Sequence, residues 1–497
     1  MRNAQSFLAI DLGAESGRTI LGSLDEHLTL NEVHRFANGP VSLPDGLHWD
    51  VLRLWSEIKN GIGLAASQSN GQLSGIGLDT WGVDFALLDA DGALLGNPCH
   101  YRDSRTDGML DEAFKRMSPG DIFANTGIQF MQINTLYQLL AMRLQDSPFL
   151  KIAKTFLMTP DLFHYWLSGE KVCEFTIATT SQCYNPIQRD WAWSLLEVFG
   201  MPPAIFPKII PPGTVLGCML PRLSEELQLG SVPIIAPACH DTASAVAAVP
   251  AQNDHFAWIS SGTWSIMGIE SPKPVIDEKT LKYNFTNEGG VSDTWRLSRT
   301  ITGLWLVQEC RRSWAARGDN LSYDEITHLA SEAEPFAAFI DPDDSEFLKP
   351  GDMPERIRSY CSKSDQGIPE SQGAVIRCAL ESLALKYRWV LERLEEINNC
   401  RFEPIHLIGG GTKNHLLNQF TAEATGRVCI AGPVEATAIG NVLMQAIALK
   451  QISSINEARD IVCRSFTTQV YEPDEREGWD EAYAKFLKIK MIMENQS

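Results

Sequence analysis

Apolar residues along the first forty positions fall with a strand's period. Phe7 to Asp11 is a short apolar run stopped by Gly13 and Gly17, and Thr19 to Leu24 and Leu28 to Phe36 follow, which predicts three strands joined by hairpins. From Asp50 the period lengthens: Val51, Leu54, Trp55, Ile58, Ile62 and Ala65 recur at helical spacing behind Asp50 as N-cap. A strand is expected again at Ser74 to Asp79. Between Asp91 and Gly230 helical stretches alternate with Pro-rich loops, notably Met201 to Gly213, and the segment reads as an insertion or lid. Val232 to Cys239 predicts a buried strand ending at His240-Asp241, and Thr242 to Val249 an Ala-rich helix stopped by Pro250.

The second half repeats this opening. Ala257 to Ser260 is apolar, Ser261-Gly262-Thr263 makes a tight turn, and Trp264 to Ile269 returns as a strand. Gly13 and Gly262 stand 249 positions apart, about half the chain, so the pattern suggests two α/β domains, 1–250 and 251–497, related by duplication. Later elements are a long amphipathic helix over Ala374 to Ile397, a buried strand over Ile405 to Ile408, and helices over Asn414 to Thr425 and Glu435 to Lys450.

Composition narrows the function classes. The 497 residues are 44% apolar and 21% charged, an ordinary globular make-up with room for two or three cores. Forty-two Lys and Arg against 62 Asp and Glu leave a net charge of -20, which repels nucleic acid and anionic membranes, so neither is an expected partner. No apolar run approaches the ~18 residues of a membrane span or forms a signal segment, and the 11 Cys are scattered without a C-x-x-C pair. The protein reads as cytoplasmic, with reduced thiols.

Five segments could carry chemistry. Asp11-Leu12-Gly13-Ala14-Glu15-Ser16-Gly17-Arg18 places a carboxylate at a strand end before a hairpin with glycines at two bends. Its backbone N–H groups could gather a phosphate while Asp11 holds hydrated Mg²⁺; a plain β-turn is the alternative. Ser260-Ser261-Gly262-Thr263-Trp264 is a second such hairpin, and two could grip a polyphosphate together. Ile405 to Asn414 runs from a strand through Gly409, Gly410 and Gly411 into a helix, which suits either an adenosine shelf or a packed helix start. Cys239-His240-Asp241-Thr242 places a carboxylate where it could accept a hydroxyl proton, with an Asp N-cap as the alternative. Cys239 and His240 are neighbours on an extended strand and point to opposite sides, which excludes a thiol–imidazole pair. Asp79-Thr80-Trp81-Gly82-Val83-Asp84-Phe85 reads as a polar pocket wall or as a core Trp81 beside a solvated Asp84. There is no Gly-Lys dipeptide and hence no Walker A loop, and no H-E-x-x-H or G-x-S-x-G.

Together these motifs resemble the FGGY carbohydrate kinases of the actin/hexokinase/Hsp70 ATPase superfamily. The resemblance runs from about Phe7 to Lys450 and includes Tyr101-Arg102-Asp103-Ser104-Arg105-Thr106, Asn287-Glu288-Gly289-Gly290, Gly303-Leu304-Trp305 and Gly432-Pro433-Val434-Glu435-Ala436-Thr437-Ala438. It implies two RNase H-like, actin-like ATPase domains with an interdomain active-site cleft. It also implies transfer of phosphate from MgATP to the C1 hydroxyl of L-rhamnulose, in L-rhamnose breakdown. Ala14, Glu15, Ser16, Gly17, Arg18, Thr263, Gln308 and Gly410 match the family's ATP positions. Gly82, His240, Asp241, Thr242 and Thr300 match its sugar positions, with Asp241 as proton acceptor and Asp11 serving the metal. Relatives often carry Ser where Glu15 stands, so Glu15 should point outward, and Asn where Thr300 stands. A monomer or homodimer is expected. A kinase for L-fuculose, L-xylulose or another ketose, or a non-catalytic ATP sensor on the same fold, remain the alternatives.

Overall fold

Phe7 to Leu12 is buried at every residue, as a strand must be when both faces of its sheet are covered. The computed structural model, which describes residues 4–474 and 476–494, places it inside a six-stranded mixed sheet. The strands run in the order Thr214–Cys218, Pro233–Ala236, Gly75–Thr80, Gln5–Leu12, Ser16–Leu24, Leu28–Ala37. Pro233–Ala236, Gly75–Thr80 and Gln5–Leu12 are parallel, and the flanking pairs are antiparallel. Helix Val51–Gln68 packs on this sheet through Val51, Leu54, Ile58 and Ile62, and the Asp50 carboxylate caps it by accepting from Arg53 N–H at 3.0 Å.

The described residues divide into two compact units. The first comprises Met1–Pro250, Glu270–Leu297 and Glu435–Phe466; the second comprises Ala251–Ile269, Ser298–Val434 and Thr467–Ser497. Pro250 is thus one of several points where the chain changes unit. Helix Ala436–Ala448 belongs to the first unit because its small residues let it approach helix Asp241–Ala247 and the central strands closely. The segment expected as an insertion or lid is built into the first unit: Gln138 bonds Asp84, and Glu174 bonds the Cys239 N–H.

In the second unit, Ala257–Ser261 pairs antiparallel with the start of Trp264–Ser271 and parallel with Ile405–Ile408. Ile405–Ile408 continues to Cys429–Ala431, which Gln469–Tyr471 closes antiparallel. Helices Gln372–Asn398 and His415–Thr425 pack together beside it. All eleven cysteines are free thiols. Among the described residues no helix is long and apolar enough to cross a membrane.

Candidate active site

In the first unit the chemistry gathers at the carboxyl ends of the parallel strands, where an open α/β sheet places its ligands. Asp11 stands opposite Asp79 in the parallel pairing, and Thr80 bridges to His240. Asp11 also faces Arg18 across the hairpin, and the Arg18 guanidinium is bonded to both Asp11 and Glu435. Burial opposes the Arg18 charge, but Asp11 and Glu435 outweigh it and hold its pKa above the ordinary value. Asp79 is fully buried. Burial, with Asp11 adding to it, pushes its carboxyl well above the usual range; Asn441 donates to Oδ2, and Oδ1 has no hydrogen-bond partner among the described residues.

The hairpin turn is closed by Gly13 N–H to Ser16 C=O at 2.9 Å, and Asn38 braces it by donating to Gly13 C=O. Ala14 and Ser16 are half-buried, and Glu15 is exposed. Gly17 is not at a bend. It lies within strand Ser16–Leu24, where an added Cβ would meet the Phe36 ring at 2.2 Å, so packing accounts for it.

Asp241 opens helix Asp241–Ala247, and its N-cap is His240, which overturns the reading of Asp241 as a plain N-cap. Its Oδ1 accepts from the Thr242 N–H and hydroxyl and lies 3.4 Å from His240 Nε2. Oδ2 takes no hydrogen bond among the described residues. Burial raises the Asp241 carboxyl above its ordinary range; His240 opposes this and Asp11 adds to it. Behind His240 lie Arg296 and Glu288: Arg296 Nη2 is 2.9 Å from His240 Nδ1 and 3.0 Å from Glu288 Oε2. Burial works against ionised Glu288, yet Arg296 and His240 hold its pKa down to about 2. The loop before Asp241 is fixed by Glu174, which accepts from Cys239 N–H, and by Thr176, whose hydroxyl accepts from His240 N–H at 3.1 Å. Cys239 Sγ faces His164, away from His240, as the strand alternation requires.

Gly82 belongs to a strained turn. Asp84 N–H donates to Gly82 C=O, and between them Val83 adopts φ +68°, a conformation rare for a β-branched residue. Thr135 donates to Val83 C=O and Thr180 accepts from Val83 N–H, which holds the turn in place. Asp84 is not solvated. It accepts from Trp49 Nε1 at 2.6 Å, Trp81 Nε1 at 3.0 Å and Gln138 at 2.9 Å, and burial pushes its carboxyl up to about 6.

The second unit holds the other expected nucleotide residues. Gly262 N–H closes the hairpin on Trp264 C=O, and helix Trp305–Ala315 begins against it, with Trp305 N–H donating to Thr263 C=O at 3.0 Å. Gln308 lies in the first turn of that helix, its Oε1 buried without a hydrogen-bond partner among the described residues. Gly409 has φ +86°, and a Cβ on Gly411 would meet Ser261 Oγ at 2.0 Å, so packing on the hairpin dictates both. Gly410 is exposed with open space about it. Thr300 lies in strand Trp295–Thr302.

Asp79 was expected only within a polar pocket wall, and Glu288, Arg296, Glu435 and Asn441 had no chemical role of their own in the sequence. Glu288 and Glu435 lie inside motifs that carry the family resemblance, and only long-range folding joins them to His240 and Arg18.

The profile for the FGGY family of carbohydrate kinases, N-terminal domain, matches residues 6–248, and that for its C-terminal domain matches residues 257–449. A rhamnulokinase of Bacteroides thetaiotaomicron is 44% identical over 483 residues, covering 97% of this chain and 99% of its own. One from Bacillus subtilis is 38% identical over 468 residues, covering 94% and 95%. Among solved structures, a ligand-bound xylulose kinase from Lactobacillus acidophilus has a TM-score of 0.83 at 15% identity, covering 98% of both chains. Plasmodium falciparum glycerol kinase with ADP has a TM-score of 0.77 at 16% identity, covering 99% of this chain and 98% of its own. At these identities the structural likeness establishes the two-domain fold.

Proposed function

We infer that this chain, which belongs to the FGGY family of carbohydrate kinases, phosphorylates L-rhamnulose at its C1 hydroxyl with ATP, giving L-rhamnulose 1-phosphate and ADP in L-rhamnose breakdown. The observation that carries the reaction is the division of labour on one carboxylate. Asp241 Oδ1 is tied by Thr242 while Oδ2 takes no bond among the described residues, so one oxygen is oriented and the other can receive the hydroxyl proton. Its raised pKa brings it closer to the range a general base needs.

Gly82, His240, Thr242 and Thr300 are assigned to the sugar. Ala14 to Arg18 are assigned to the phosphates, and Thr263, Gln308 and Gly410 to ATP, the orphaned Gln308 Oε1 and the open flank of Gly410 being suited to a ligand. Mg²⁺, when bound, neutralises triphosphate charge. Asp11 and Asp79 are the residues that would hold it, and the unpartnered Asp79 Oδ1 fits a cation. Arg18 supplies a fixed positive charge beside them for the transferring phosphoryl group. The eleven free thiols suit a cytoplasmic enzyme.

A coupled ADP-release assay over L-rhamnulose, L-fuculose, L-xylulose and a no-sugar control tests this reading. The highest kcat/KM is expected with L-rhamnulose. ADP release independent of sugar, or a clear preference for another ketose, would contradict it.

A further inference from the structure

Arg296 and Glu288 are buried charges whose role in the reaction follows from hydrogen-bond chemistry. A guanidinium can only donate. Its Nη2 lies 2.9 Å from His240 Nδ1; donation from Nη2 requires that Nδ1 present its lone pair, which leaves the ring proton on Nε2, the nitrogen 3.4 Å from Asp241 Oδ1. The opposite tautomer would set two donors face to face at Nδ1 and two acceptors face to face at Asp241. Arg296 cannot swing away, because its Nε donates to Gly289 C=O at 2.9 Å and Nη2 also donates to Glu288. Glu288 Oε2 is itself 3.3 Å from Nδ1 and would take a proton there if Arg296 were absent. The arrangement is not the one packing alone would select: Arg296 is fully buried, yet Nη1 has no hydrogen-bond partner among the described residues.

We propose that Arg296, anchored by Glu288 and Gly289, is a positioning residue that fixes His240 as its Nε2–H tautomer, so that Nε2–H faces Asp241 Oδ1 at 3.4 Å and Oδ2 is left to receive the substrate hydroxyl proton. The proposal rests on the reading of Asp241 as proton acceptor.

The first test is ¹⁵N NMR of the full-length protein labelled at histidine, with His240 assigned by the resonances lost in His240→Gln. A bare Nδ1 and a protonated Nε2 are expected, and a protonated Nδ1 would overturn the proposal. The second test uses variants. Arg296→Met strands a buried carboxylate, so Arg296→Met/Glu288→Leu, which removes both charges, is compared with it. The double variant should melt higher than the single one and keep kcat at least about tenfold below wild type with the KM for ATP within about twofold. A kcat within about twofold of wild type in the double variant would overturn the proposal. The tautomer is read without substrate. Failure of the functional reading, an inactive wild type, is therefore distinguishable from failure here, an active wild type with a protonated Nδ1.

Discussion

Helices Asp241–Ala247 and Ala436–Ala448 cross at Gly440, where an added Cβ would lie 1.8 Å from the Ser244 carbonyl oxygen and 2.6 Å from its carbon. That approach is well inside the 3.0 Å below which Cβ atoms essentially never meet another heavy atom, and the obstacle is backbone, which cannot rotate aside. Gly440→Ala must therefore push the two helices apart by more than about 1 Å. Overpacking of this kind costs about 1–3 kcal/mol, and the better helix propensity of Ala returns up to about 1 kcal/mol. A net loss of roughly 1–2 kcal/mol corresponds to a Tm lower by several degrees for a unit of this size. Asp241 begins the displaced helix, one turn ahead of Ser244, and a misplacement of about 1 Å can cost on the order of 10²-fold in rate. Gly63→Ala is the control. Gly63 lies inside helix Val51–Gln68 with nothing within 4 Å of where a Cβ would stand, so stability should rise by up to about 1 kcal/mol with kcat unchanged. Thermal melts and coupled ADP release measure both. Gly440→Ala with wild-type Tm and kcat would refute the packing argument.

Gly262 has only the Trp264 carbonyl oxygen near its Cβ direction, at 3.6 Å, so Gly262→Val should leave Tm almost unchanged while weakening ATP far more than sugar in calorimetry. Equal weakening of both ligands would remove Gly262 from the phosphate site. Arg18→Gln removes a half-buried cation from the hairpin proposed to hold the phosphates, and the KM for ATP should rise about tenfold or more while the KM for ketose stays within about threefold; an unchanged KM for ATP would contradict the assignment. Asp84 has a folded-state pKa raised by burial to about 6 from 3.8, so its contribution to stability is fully present below pH 3.8 and is lost as pH rises through about 6. Asp84→Asn should flatten that decline in urea titrations between pH 4 and 7, and an unaltered slope would count against it.

The hairpins, the parallel strands and the principal helices were legible because their signals are local: period-two runs, glycines at turns, and Asp50 before a helical pattern. Asp241 was legible for the same reason, standing where a buried strand meets a helix. Gly17 mimics a bend in sequence because its cause, the Phe36 ring, lies on the next strand. A solvated Asp84 was a fair alternative because nothing nearby in sequence announces that Trp49 and Gln138 enclose it. Val83 offered no signal for a positive φ, since β-branched residues avoid it and only Thr135 and Thr180 impose it. Arg18 meets Glu435 across 417 positions, a contact that the duplicated hairpins do not foretell.

The most direct test of the central claim is the rate of ADP release from Asp241→Asn with L-rhamnulose, with the product identified by ³¹P NMR. The asparagine carbonyl can still accept from Thr242 at the Oδ1 position, while an amide nitrogen replaces the oxygen that would take the proton. Wild-type protein should form a C1 phosphate ester, and the variant should keep its Tm and its affinity for ATP while kcat falls by ~10²–10⁴-fold. A folded variant that retains kcat within about tenfold of wild type, or a wild-type product phosphorylated elsewhere than C1, would contradict the account.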